Sequence, residues 1–307
     1  MAFTAADVKN LREMTGVGMM DCKKALVEAD GDMDKAVEWL REKGLAAAQK
    51  KAGRIAAEGM AYAAVIDGIG VCVEVNAESD FVAKNDLFVD YVKKVAEVAA
   101  KENPADLDAL MACKYPGSEM TVQEMQNDRV LVIGENIKVR RFERYDSGTS
   151  VAYVHMGGRI AVVMNLDVSD GKGSDDAVIE MGKNLAMQVA ALNPTFLDKS
   201  QVSQEFIDEE KKVRLAQAKE DPKNANKPDA IIEKIVLGGL AKYYKEICLL
   251  QQPFVKDDKQ SVEQYVASVA KSVGADIKVN SYVRFEKGEG IEKRQDDLAA
   301  EVAKMIK

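Results

Sequence analysis

Apolar positions along this chain change period several times, and the changes divide it into segments. From Thr4 to Gly44 the spacing is helical. Thr4 and Asp7 form a capping-box pattern ahead of Val8, Leu11 and Met14. A second helix is expected over 19–29, stopping at Asp30 and Gly31. A third runs from Asp32 as N-cap to Gly44 at the C′ position. Met20, Leu26, Val37, Trp39 and Leu40 supply a small core, and such a bundle is marginal alone. It reads equally as an accessory binding module and as a terminal subdomain packed on the rest. Residues 45–59 carry Lys50, Lys51 and Arg54 among alanines and read as a partly helical tether with solvated charges, in preference to an anion-binding patch.

The period then switches to two, and an internal repeat emerges. Alternating residues 62–66 turn at Asp67 and Gly68 into Val71, Val73 and Val75, the signature of a β-hairpin. A helix over about 86–100 buries Leu87, Phe88, Tyr91, Val92, Val95 and Ala99 on one face and ends at Asn103 and Pro104. The order recurs in 151–155, a turn at Gly157 and Gly158, 160–166, and a helix from about Asp175 to Asn193 and Pro194. Gly158 follows Gly68, and Pro194 follows Pro104, by the same 90 residues. A matched strand closes each copy, GENIKV at 134–139 and GADIKV at 274–279. These lie 140 residues apart, so the second copy carries an insertion of 50.

The insertion falls at about 201–249 and reads as two antiparallel helices joined by a loop at 221–228. Phe206, Val213, Ile231, Ile235 and Ile247, with the small pair Gly238 and Gly239, offer too little apolar surface for a domain. They suffice for contact with a partner, for a homodimer, or for an intramolecular brace. A last amphipathic helix over about 292–306 carries Leu298, Val302 and Met305 as a stripe that docks on its own core or on a partner. The expected fold class is α+β: a three-helix module with its linker (1–55), two hairpin-helix-strand subdomains with antiparallel sheets (56–145 and 146–286), and a C-terminal helical module (287–307).

Composition narrows the function. The 307 residues hold 43 Lys plus Arg against 51 Asp plus Glu, a net charge of −8 that disfavours direct contact with nucleic acid. No stretch approaches the roughly 18 apolar residues of a membrane span, and the start lacks a basic region followed by an apolar one, so a cytoplasmic protein without membrane contact is expected. Cys22, Cys72, Cys113 and Cys248 are scattered, a poor metal-ligand set, and read as free thiols in a reducing compartment. His155 is the sole histidine. With no phosphate-binding loop, dinucleotide fingerprint or nucleophile elbow, the residues argue against an enzyme and call for no cofactor or metal.

One loop stands out. Within AESDFVAKN (77–85), between the first hairpin and its helix, Phe81 sits beside Asp80 where a connecting turn has no core to fill. Two readings remain: an apolar tip held out to enter another protein, or a ring folded back to staple the helix start, with Asp80 or Asn85 as cap. His155, ahead of Met156 and Gly157, occupies the corresponding turn of the second copy and reads first as a surface residue. Arg140, Arg141 and Arg144 are expected to decorate the outer face of a strand without chemistry.

Six strings run along nearly the full length: TGVGMMDCKKAL at 15–26, SDFVAKN at 79–85, GENIKVRRF at 134–142, YVHMGGRIAV at 153–162, QQPFVKD at 251–257 and VRFEKGEGIEK at 283–293. In these strings and their order the chain resembles the bacterial translation elongation factor Ts family. Ala77 and Glu78 depart from the Cys and Gln of many members and leave the Asp-Phe pair intact. The resemblance implies a guanine nucleotide exchange factor that binds the GDP form of elongation factor Tu. It also implies an N-terminal module like ubiquitin-associated domains, and a role in dimer or partner contact for the helical hairpin. By the same resemblance, Asp80, Phe81, Val82, Ala83 and Lys84 wedge into the GTPase and disturb its magnesium and phosphate site. His155, Met156 and Gly157 touch the same partner, and Met19 and Met20 in the N-terminal module add contacts. Two other classes stay open: an enzyme pairing His155 with a cysteine, and an adaptor that binds a GTPase without changing nucleotide release.

Overall fold

The computed structural model describes residues 3–224 and 227–292. Three helices, α1 (Ala5–Thr15), α2 (Met19–Glu28) and α3 (Met33–Lys51), lead into the hairpin β1 (Glu58–Ile66) and β2 (Ile69–Ala77). Then come α4 (Asp86–Glu102), α5 (Leu107–Ala112), α6 (Val122–Ile133) and β3 (Lys138–Tyr145). The second copy follows as β4 (Thr149–His155), β5 (Ile160–Val168) and α7 (Asp176–Leu192). The inserted helices are α8 (Gln204–Glu220) and α9 (Asp229–Ile247), after which β6 (Pro253–Phe254), β7 (Asp257–Ser261), α10 (Val262–Val273) and β8 (Ile277–Glu286) complete the series. The fold is α+β, with helices first and antiparallel three-stranded sheets ordered β1-β2-β3 and β4-β5-β8.

Side-chain alternation explains how the sheets stack. Val71, Val73 and Val75 of β2 pack under α4 against Phe88, Tyr91 and Val95, while Val162, Met164 and Leu166 of β5 pack under α7 against Met181 and Leu185. The intervening positions face the other sheet and are small: Ala61, Ala63, Cys72, Ala161 and Val163 form a thin layer with Phe285. Gly70 belongs to this close approach, since a Cβ there would lie 2.5 Å from Ser150 Oγ and 2.9 Å from Val163 Cγ1. The arrangement is helix, sheet, sheet, helix.

Asp67 (φ 51°) and Gly68 (φ 83°) make the expected left-handed hairpin turn between Ile66 and Ile69. Asn85 and Asp175 cap α4 and α7, and Asn103 and Asn193 close them in left-handed conformation.

Several expectations need correction. Helix α3 does not stop at Gly44 but continues to Lys51, which makes the first seven of the fifteen tether residues helical, in keeping with a partly helical tether. Gly44 serves packing instead: a Cβ there would sit 3.3 Å from the Asn127 carbonyl oxygen of α6. The N-terminal bundle is thereby docked on α6, whose Leu131 and Val132 join its core, and Lys51 Nζ donates to the Val130 carbonyl at 3.2 Å. The closing strands begin later than expected, because Gly134 (φ 88°) and Gly274 (φ 65°) are left-handed caps of α6 and α10. Helix α6 shows no single apolar stripe: Val122, Met125 and Val130 face the first sheet's core, and Leu131 and Val132 face α3.

The insertion is an antiparallel helix pair, with Phe206 stacked on Tyr243 at 6.3 Å and Arg214 over the same ring at 4.8 Å. Ile207, Ile232, Val236 and Leu240 are buried, while Val213, Ile231, Ile235 and Leu237 remain substantially exposed. Of the C-terminal module expected over 287–307, residues 293–307 lie outside the described residues.

Candidate functional site

Ala77, paired with Glu58, is the last residue of β2, and Asn85 caps α4, so the loop between them is anchored by a strand and a helix. Asn85 Oδ1 accepts from Leu87 N at 2.9 Å and Phe88 N at 3.4 Å. Val82 opens a single 3₁₀ turn, Val82–Lys84, and is buried in the core beneath α4. Phe81, with ordinary right-handed backbone (φ −65°), is 81% exposed. The two readings of this loop therefore divide between neighbours. Val82 folds back as the staple, and Phe81 projects. Asp80 and Lys84 are exposed beside it, and Ala83 is half-buried.

The near side of the loop is latched to the joint between α6 and β3. Ser79 donates from its backbone N to Glu135 Oε2 (2.9 Å) and from Oγ to Glu135 Oε1 (2.6 Å), so one carboxylate holds it at two points. Glu78 Oε1 accepts from Asn136 N at 2.6 Å and from Arg54 Nη1 at 3.4 Å, and Asn136 Nδ2 donates to the Arg54 carbonyl at 2.8 Å. Burial, with Arg54 nearby, lowers the pKa of Lys51, and the charges of Glu78 and Glu135 work against that shift. The charges of Lys51 and Arg54 thus meet partners in the fold, contrary to the solvated linker expected.

His155 ends β4, half-buried, with Nδ1 2.8 Å from Tyr153 Oη. His155 pairs with Ile160, so the turn spans the four residues 156–159; Met156 (φ 48°), Gly157 (φ 63°) and Gly158 (φ 95°) are all left-handed, and Met156 is 66% exposed. Gly158 accepts Ala61 N on its carbonyl at 2.8 Å, and a Cβ on Gly158 would lie 2.6 Å from Met60 Cγ. The first residues of β1 therefore adjoin both features, Glu58 beside the root of the Phe81 loop and Met60 and Ala61 beside the His155 turn. Met19 and Met20, 52% and 64% exposed, open α2 on the N-terminal module.

Arg140 and Arg141 do not decorate an outer face. Glu74, fully buried on β2, accepts from Arg140 Nη1 (3.0 Å), Arg141 Nε (2.6 Å), Asn76 Nδ2 (3.0 Å) and Gly288 N (2.8 Å). Arg141 also lies over the Phe285 ring at 4.2 Å. The strand alternation that puts Glu74 among Cys72 and the intersheet alanines was the available signal, since an acidic residue there requires cationic partners. Arg144 does not decorate an outer face either: its side chain is 14% exposed and donates to Asp146 at 2.9 Å and to the Ala100 carbonyl of α4 at 3.1 Å.

The family model for elongation factor TS matches residues 78–289. Elongation factor Ts of Syntrophotalea carbinolica is 48% identical over 309 residues, covering 100% of both chains. That of Magnetococcus marinus is 47% identical, covering 100% of this chain and 99% of its own. This chain belongs to the elongation factor Ts family. Elongation factor Ts of Clostridium perfringens strain SM101 agrees at 48% identity over 98% of each chain. As a member of the elongation factor Ts family the protein is a translation elongation factor, and the family match takes in the Phe81 tip and its Glu135 latch. Among the described residues no helix is long and apolar enough to cross a membrane, and no cluster of His, Cys, Asp or Glu is arranged to hold a metal ion.

Proposed function

We propose that this member of the elongation factor Ts family is a guanine nucleotide exchange factor that binds the GDP complex of elongation factor Tu and accelerates GDP release. The single observation that carries the reading is Phe81: a large ring 81% exposed on a loop held by a buried Val82, a capped helix and a bidentate carboxylate. An exposed aromatic on rigid backbone suits insertion into a partner, because little conformational freedom is lost on docking. A GTPase holds its nucleotide through backbone donors, a lysine and Mg²⁺ around the phosphates. A wedge that shifts this cradle weakens several of those interactions together, and no covalent step is involved. Coupling is reciprocal, so returning nucleotide must weaken the grip of the factor and release it. Phe81 is the wedge, Asp80 and Lys84 flank it, and the His155–Gly157 turn and the Met19–Met20 corner add contacts to the same partner. This role places the protein in the cytoplasm with the translation machinery, without direct contact to nucleic acid.

The test is release of fluorescent GDP from purified elongation factor Tu. Wild-type protein is expected to accelerate it strongly. Replacing Phe81 by Ala should remove roughly ten- to a hundredfold of that acceleration, the worth of burying one aromatic ring. Binding without acceleration by the wild type would leave the adaptor reading. Equal acceleration by Phe81→Ala would remove the wedge.

A further inference from the structure

The two copies of the repeat make a controlled comparison of what holds the loop. Both copies join the hairpin to the helix through a serine that bonds to the joint after the last helix, Ser79 to Glu135 and Ser169 to Asp276. In the second copy that joint needs no carboxylate: Ser169 N donates to the Asp276 carbonyl at 3.0 Å, and Asp276 N donates to Ser169 Oγ at 2.9 Å. The counterpart of Phe81 there is Gly171 in left-handed conformation (φ 67°), and no aromatic projects. In the first copy the position matching Ala275 is Glu135, which takes both Ser79 donors. Glu78 is the residue without a counterpart, because β2 runs 91 residues before β5 whereas Ser79 precedes Ser169 by 90. It bonds to Asn136 and Arg54. The second copy closes this loop on backbone groups of the joint, with Ser169 Oγ donating to the adjacent Asp170 carboxylate at 2.5 Å; acidic side chains that bridge loop and joint, Glu78 and Glu135, occur only where the loop carries the exposed ring.

We infer that Glu135 is a positioning residue for nucleotide exchange: its carboxylate, gripping Ser79 N and Oγ, presets the direction of Phe81 before the partner is met. The inference rests on the exchange reading above. Glu135 is half-buried and holds the Phe81 loop through Ser79, so its contribution passes through the geometry of Phe81. Without the latch the tip samples other directions, and only the fraction of encounters with the ring preset drives release.

The experiment is fluorescent GDP release from elongation factor Tu with full-length protein carrying Glu135→Ala, Glu135→Gln, Ser79→Ala, Phe81→Ala and the double change Glu135→Ala with Phe81→Ala. Glu135→Ala should lower the saturating release rate about tenfold, as loss of a charge-assisted anchor warrants, with the half-saturating concentration within about twofold. Glu135→Gln retains one carbonyl acceptor and should recover to within about threefold of wild type. Ser79→Ala, which keeps the backbone donor, should fall between the two and serves if Glu135→Ala does not fold. On the Phe81→Ala background the further loss of Glu135 should change nothing, an outcome that a merely structural role would not produce. Normal release by Glu135→Ala and Ser79→Ala while Phe81→Ala is impaired would overturn the latch and leave the wedge standing. An additive loss in the double variant would overturn it as well. Wild-type protein that releases no GDP would overturn both readings.

Discussion

Glu74→Ala removes the acceptor at which three segments of the chain meet. The carboxylate is fully buried between the sheets and receives Arg140 and Arg141 from β3, Asn76 from its own strand, and the Gly288 amide from the segment after β8. Truncation to Ala leaves the Asn76 amide, the Gly288 N–H and two guanidinium groups without this partner. Breaking a buried ion pair from one side typically costs about 3–5 kcal/mol. Here the arginine side chains are 28% and 32% exposed, and Arg141 keeps its 3.1 Å contact to Glu289, so part of that charge can turn to water. The expected loss is therefore at the lower end, about 3 kcal/mol, or a fall in melting temperature of roughly 5 °C for a chain of this size. Urea unfolding followed by far-ultraviolet circular dichroism measures it, provided the slope against urea is unchanged between variants. Most of the cost should be the stranded arginines, so Glu74→Leu combined with Arg140→Leu and Arg141→Met should recover a large part of it. A Glu74→Ala loss under about 1 kcal/mol, or a triple variant no better than Glu74→Ala, would refute the view that this cluster ties the sheets together.

Two further outcomes follow from burial. Val82→Ala opens a gap beneath α4 and should cost about 2 kcal/mol in urea unfolding, whereas Phe81→Ala, losing an exposed ring, should stay within about 0.5 kcal/mol; the reverse order would mean that Phe81, not Val82, is the staple. Cys22, Cys72 and Cys248 are buried and burial pushes their thiols up, so at pH 8 a disulfide reagent should label the half-buried Cys113 first and the other three only as the chain unfolds; rapid labelling of Cys72 would contradict the packed layer between the sheets.

What could be read ahead of the structure was whatever repeats or has a strict period. The hairpin turn at Asp67 and Gly68, the caps at Asp32, Asn85 and Asp175, and the helix stops at Asn103 and Asn193 are local signals, each fixed by one or two residues. Gly44 shows the limit: glycine after a run of helix formers signals a stop, and only the backbone of α6 pressed against it explains why the helix continues. The same limit applies to Glu78 and Glu135. Their partners at the joint lie 58 and 56 residues away, and nothing in the local pattern distinguishes them from surface acids. The Phe81 loop was legible as an anomaly, an aromatic in a turn, but which of Phe81 and Val82 would enter the core depended on the tertiary packing beneath α4.

The duplication supplies a way to separate what serves the fold from what is specific to one copy. Features shared by both copies sit at matched positions: the strand irregularity at Glu74/Val75 and at Asn165/Leu166, the Asx caps of α4 and α7, the left-handed asparagines that end them, and the glycines that close α6 and α10. These build the same hairpin-helix-strand unit twice, and their loss should cost stability in either copy. The differences concentrate at one place. Val82, which plugs the core of the first copy, is matched by Lys172, whose ammonium bonds the Val273 and Gly274 carbonyls at the end of α10. Phe81 is matched by Gly171, Glu135 by Ala275, and Glu78 by nothing. A loop that had only to connect strand to helix would need none of these residues, as the second copy demonstrates. Their clustering within one turn and the joint that holds it concentrates the departure from symmetry at the surface where Phe81 projects.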